Sequence, residues 1–140
     1  MNLTKNPVFF SAFQVAPAGE MYEKDFLLLI ASVESRSSHP MAKSIVWIAK
    51  KNNFPIRPVI GFREFPGCGA GGAVEIAPGV YRAVVIGNRK FINDCGLQMS
   101  ETLEVAARKW ESEPAVIALG GWDGWVRGVM KFREQGPDQN

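Results

Sequence analysis

The sequence predicts an α/β protein of the α+β kind, a sheet of about six strands, largely antiparallel, flanked by two helical hairpins. Three observations lead there. Apolar residues follow a helical period from about Glu20 to Asn53 and switch to a period of two from Pro58. The strands that follow are joined by hairpin-length links carrying Pro-Gly or Asp-Gly. Each of two other stretches holds a pair of helices. Residues 1–140 read as one domain, with 1–7 and 133–140 as loose ends or remnants of a domain junction.

In chain order, "PVFFSAFQVAP" is rich in Phe and Val and bounded by prolines, so a strand runs from about Val8 to Val15. "EMYEKDFLLLIASVESRS" reads as a helix with acidic residues in its first turn, and Met21, Phe26, Leu29, Ile30 and Val33 fall mostly on one face. "SHPMAKSIVWIAKKNN" is a second helix, with Ser38 or His39 at its cap and Pro40 in its first turn. "VIGFREF", "GGAVEIA" and "VYRAVVIG" are strands separated by "PGCG" and by Pro78-Gly79. "NRKFINDCG" is a short helix closed by Gly96, and "MSETLEVAARKWESE" a longer one capped by Ser100, with Leu103 as apolar support. "PAVIALGGWDGWVRGVMKF" is a hairpin about Asp123-Gly124, and a polar tail follows.

Composition bounds the function. A hydrophobic fraction of 46% with 21% charged residues is that of an ordinary globular chain, and a net charge of +2 argues against nucleic acid or an anionic membrane as partner. The longest apolar run, "FLLLIASV", is far short of the ~20 residues of a membrane span. The N-terminus lacks the pattern of a secretory signal. Cys68 and Cys95 form neither a zinc pattern nor a disulfide framework and read as buried or idle thiols. There is no Ser-His-Asp set, no P-loop and no cluster of metal ligands, so no catalytic residue is assigned.

Three stretches could carry chemistry. "GCGAGG", Gly67 to Gly72, fits the dinucleotide fingerprint in spacing, but strand, turn and strand follow it instead of a helix. It reads either as a glycine-rich hairpin bend or as backbone that a ligand can approach closely. His39, the only histidine, stands before Pro40 and should point outward, where an imidazole can stack on or donate to a flat heterocycle. Glu34 could accept hydrogen bonds from an exocyclic amine, or could be a solvated helix end. Carboxylate plus aromatic ring suits adenine. Gly87-Asn88 lies between a strand and a helix, where Asn88 is a fair cap and N–H groups could receive ribose or phosphate oxygens.

Taken together, "E…SSHP", "FPGCGAGG" and "VIGN", in this order and spacing, resemble the nucleotide-binding domain of heavy-metal-transporting P-type ATPases, the copper-exporting branch in particular. The resemblance spans nearly the whole chain and ends at "GWVRGVMKFRE". It implies ATP as ligand, with Glu34 and His39 holding the adenine. It implies Gly67 and Gly69 against the nucleotide, Gly87 and Asn88 near the ribose and phosphates, and Pro40 and Gly72 in support. Ser38 stands where the family usually has Glu, and Ala70 where a larger aliphatic is common.

The family's "DKTGT" phosphorylation motif is absent from this sequence, and Leu3-Thr4 looks like its tail. The chain therefore reads as a cytoplasmic domain of an integral membrane transporter. On that reading it is inactive alone and works with the phosphorylation domain of the same transporter. Mg2+ would be held mainly by phosphates and that other domain, so it matters little here. The isolated domain is expected to be a monomer. A regulatory or interaction domain that kept the fold and lost tight nucleotide binding is the alternative. A redox or metal-sensing role for Cys68, in "GCG", is a third.

Overall fold

A computed structural model describes residues 8–134. Ten elements follow in the expected order: β1 (Val8–Val15), α1 (Glu20–Glu34), α2 (Pro40–Lys51), β2 (Val59–Phe65), β3 (Gly69–Ala77), β4 (Val80–Gly87), α3 (Arg89–Asp94), α4 (Glu101–Glu111), β5 (Val116–Trp122) and β6 (Trp125–Glu134). The strands form a six-stranded sheet in the order β1-β6-β5-β4-β3-β2. Every neighbouring pair is antiparallel.

Both faces of the sheet are covered. Along the paired strands β5 and β6 side chains alternate, as the pleat requires. Ala118 and Met130, partners in the ladder, face a core with Phe26, Ile30, Val33 and Ile45 of α1 and α2. Leu119 and Val129, the next pair, face a smaller core with Ile92, Leu103 and Ala107 of α3 and α4. Each fully buried large apolar side chain contributes about 1.5–3 kcal/mol, so this two-sided burial is what holds the sheet.

Helix α1 departs from a one-faced amphipathic helix. Met21 is 65% exposed, whereas Phe26 through Glu34 are all buried. The reason is its place: it packs on β1, β2, β3 and β4 and against α2. It also ends at Glu34, not at Ser37, because the chain turns there with Ser35 N–H on Ala31 O and Ser37 N–H on Glu34 O. Phe26 sits over the paired glycines Gly120 and Gly128, where a Cβ on either would collide with α1 side chains.

The turn signals read as anticipated. Asp123 (φ 54°) and Gly124 (φ 80°) make the primed turn of the β5–β6 hairpin. In "PGCGAGG" only Pro66–Cys68 form the bend, and Gly69–Gly72 belong to β3. Gly72 is therefore not part of that bend. It lies opposite a bulge in β2, where Ile60 pairs with Ala73 and Arg63 with Gly71, and Gly61 takes φ 66°. Both cysteines are exposed and free, so neither is a buried thiol. Of the terminal segments expected to be loose, 1–7 and 135–140 lie outside the described residues, as does Leu3-Thr4, while Arg133 and Glu134 are in β6. No helix of the described residues is long and apolar enough to cross a membrane.

Candidate functional site

A cavity of about 410 Å³ opens at one end of the sheet. It is bounded by the end of α1, the start of α2, the β2–β3 turn, the end of β4 and the start of β5. Glu34, His39, Gly67, Gly69, Gly87 and Asn88, all six residues expected to bind the ligand, line it together. Pro40 and Gly72 do not; Pro40 is the first residue of α2.

Glu34 is not a solvated helix end. It is the last residue of α1, 8% exposed, and its carboxyl has no hydrogen-bond partner among the described residues. Burial is the main force that pushes its pKa up to about 7, and the charge of Glu64 adds to it. The following turn is tied down by Arg36, which donates to Val59 O at 3.1 Å. That pins the end of α1 to β2 and keeps Glu34 at the cavity.

His39 is exposed, as a ligand-facing ring requires. It caps α2: Nδ1 accepts from Met41 N–H at 3.1 Å, and the backbone is extended at φ −64°, ψ 141° before Pro40. With Nδ1 committed as acceptor, the neutral ring carries its proton on Nε2. Proline thus presets the backbone, the cap fixes the ring nitrogen, and Nε2–H is the free donor.

The glycines divide by cause. Gly67 has φ 77° and open space around it, the left-handed residue that the β2–β3 turn needs. Gly69 and Gly87 pair across the β3–β4 ladder, and a Cβ on either would meet backbone carbonyls and the Phe91 ring. Asn88 holds the turn through its side chain and its backbone. Its Oδ1 caps α3 by accepting from Phe91 N–H at 2.8 Å, and its Nδ2 donates to Gly67 O at 3.2 Å. Its own N–H goes to Cys68 O at 2.9 Å. Its bonds in this structure position the Gly67 turn.

Several lining residues were missed. Ser37 Oγ donates to Glu64 Oε2 at 2.7 Å and accepts from His39 N–H at 3.1 Å, linking the α1–α2 turn to β2. Phe65, 39% exposed, lines the cavity and meets Phe91 with ring centroids 5.4 Å apart. Ile86, Ile117 and Ala118 add apolar wall. The signal available was position: Glu64 and Phe65 directly precede "PGCG". Among the described residues that line the cavity none is Lys or Arg, while two are carboxylic acids. That lining disfavours an anionic group inside the cavity. No group of three or more His, Cys, Asp or Glu is placed to hold a metal among the described residues.

No family model matches the sequence. Among curated proteins, the copper-exporting P-type ATPase B of Archaeoglobus fulgidus is 34% identical over 113 residues, 81% of this chain and 15% of that protein. The copper-exporting P-type ATPase of Staphylococcus haemolyticus is 28% identical over 108 residues, 77% of this chain and 13% of that protein. The chain thus spans roughly a seventh of the relatives it matches. Among solved structures, the N-domain of HMA6, a copper-transporting P-type ATPase, superposes with a TM-score of 0.70 at 24% identity, covering 90% of this chain and 98% of that one. The catalytic CPx-ATPase domain CopB-B, studied upon nucleotide binding, gives 0.58 at 20% identity over 91% of this chain and 38% of that one. These structures share the six-stranded sheet and its helices.

Proposed function

Because this chain is a homologue of the copper-exporting P-type ATPases and has the fold of their N-domains, we propose that it binds ATP and positions it for phosphoryl transfer to an aspartate on a separate domain of a copper-type transporter. The single observation that carries this reading is the cavity itself. It gathers the six expected residues around a buried carboxyl that has no hydrogen-bond partner among the described residues, and none of the described residues lining it is Lys or Arg. The apolar wall suits a base and the Glu64 carboxylate disfavours phosphate, so the triphosphate extends outward past the Gly67 turn.

The adenine enters between Glu34, which takes its exocyclic amine, and the His39 ring, with Phe65 as a further flat surface. Holding the adenosine end turns phosphoryl transfer into a matter of domain approach. Closure of the two domains then couples ATP use to metal movement. Mg2+ belongs with the phosphates and the other domain, so nucleotide binding here is nearly independent of it. As a domain of such a transporter the chain would lie on the cytoplasmic side of the membrane and act as a single copy.

The test is a titration of ATP into the 140-residue chain without magnesium, followed by backbone amide shifts. Shifts concentrated at Glu34, His39, Gly67, Gly69, Gly87 and Asn88 are expected, with loss of binding in Glu34→Ala and His39→Ala. A flat titration at millimolar ATP would overturn the reading and favour a domain that kept the fold without the ligand.

A further inference from the structure

We propose that the cleft takes adenine together with a proton, with Glu34 binding as the neutral carboxylic acid and Glu64 acting as the positioning residue that holds it neutral. This rests on the nucleotide reading above and concerns the chemical form in which the site binds.

The groups around Glu34 motivate it. From β2 comes Glu64, fixed by Ser37 Oγ at 2.7 Å and lining the same cavity. From α2 comes His39, with Nδ1 committed to Met41 N–H. From the β2–β3 turn comes Cys68, and β4 and β5 present Ile86, Ile117 and Ala118. Of the guanidiniums in this region, Arg36 donates to Val59 O, Arg63 lies over the Phe65 ring at 5.5 Å from its centroid, and Arg89, beside Asn88, pairs with Glu104 and Glu111. A carboxyl that is 8% exposed, unpartnered among the described residues and next to another acid has little to keep it ionised. Burial and Glu64 bring its titration to about 7, which is consistent with that geometry.

The ligand supplies the match. A neutral carboxylic acid offers one donor and one acceptor side by side. Adenine's Watson–Crick edge offers the complement, the N1 acceptor beside the N6 amine donor. The O–H donates to N1 and the C=O accepts from N6–H. An ionised carboxylate can take the amine only, and its second oxygen then faces the N1 lone pair. Binding therefore draws a proton from solvent onto Glu34 whenever the empty site is ionised.

Glu34→Gln gives a direct test, because an amide carries the same donor and acceptor pair and does not titrate in this range. ATP affinity is measured from pH 6 to 8 in the wild type, Glu34→Gln and Glu64→Gln, each checked for fold by its amide spectrum. Titration of the ATP phosphates is common to all three and cancels in comparison. Relative to Glu34→Gln, wild-type affinity is expected to fall by up to about tenfold per pH unit above the Glu34 midpoint. In Glu64→Gln, which keeps the size of the side chain without its charge, that fall begins at lower pH. Loss of binding in Glu34→Gln while the wild type still binds at pH 8 would overturn the proposal, as would pH profiles that superimpose, and either would leave nucleotide binding intact. Absence of binding in the wild type throughout pH 6–8 would overturn the nucleotide reading and this one with it.

Discussion

Gly69 and Gly87 face each other across the β3–β4 ladder, and the Phe91 ring of α3 lies over both. A Cβ at Gly87 would fall 2.6 Å from Phe91 Cδ2, and one at Gly69 would fall the same distance from that atom. These positions are glycine because the backbone carbonyls of Ile86 and Cys68 and the Phe91 ring together leave no room for a Cβ. Gly69→Ala and Gly87→Ala should each destabilise the domain by about 1–3 kcal/mol through overpacking. Together they should be less than additive, since both displace one ring. Urea unfolding of the two single variants and the double variant checks this. Unchanged midpoints with weakened ATP binding would instead assign both glycines to ligand approach.

Asn88 supports the site from below. Its Oδ1 caps α3 and its Nδ2 holds Gly67 O. Asn88→Asp keeps the cap and loses the donor to Gly67, whereas Asn88→Ala loses both. The alanine variant should cost about 1 kcal/mol of stability and the aspartate variant less. Both should weaken ATP binding, because the Gly67 turn is released in each. Denaturation midpoints and ATP titrations of the pair separate these effects; wild-type ATP affinity in the aspartate variant would show that the clamp on Gly67 is dispensable.

His39 has two roles that can be separated. Its Nδ1 caps α2, and its exposed ring faces the cavity. Asparagine at 39 is as good a cap and carries no ring. His39→Asn should therefore retain stability within about 0.5 kcal/mol and still lose adenine binding, whereas His39→Ala loses both. If His39→Asn binds ATP like the wild type, the ring contributes only as a cap.

Most of the fold was legible because its signals are local. Asp123-Gly124, Asn88, Ser100 and Pro40 each act within a few residues, and all four stand where their chemistry placed them. What failed was long-range. Of the expected core face of α1, Phe26, Leu29, Ile30 and Val33 are buried, but burial in α1 begins only at Phe26, so Met21 faces water. Gly120 and Gly128 carried no local signal, since Phe26 comes from a distant helix to sit on them. The site divides in the same way. His39 and Asn88 were readable as caps at element junctions. Glu64 and Phe65 carried only the signal of standing before "PGCG", because it is the β2–β3 hairpin that brings them against the α1–α2 turn. The burial of Glu34 likewise depends on strands distant in sequence.

That burial makes the binding residue a liability to the empty fold. Glu34 ordinarily titrates near 4.5, and in the folded chain it does so at about 7. The folded state therefore holds the proton more tightly than the unfolded one. The stability linked to this group is fully present below about 4.5 and is lost as pH rises through about 7. At about 1.4 kcal/mol for each pH unit that separates the two midpoints, the loss is on the order of 3 kcal/mol by pH 8. Glu34→Gln removes this titration, so its stability relative to the wild type should rise by that order between pH 4 and 8. The comparison uses the change with pH rather than the absolute difference, because the buried amide has a desolvation cost of its own that pH does not alter. Urea midpoints of the two proteins at pH 4, 6 and 8, without nucleotide, provide the measurement. Parallel pH profiles would mean that Glu34 is solvated in the empty domain and that its pocket closes only around a ligand.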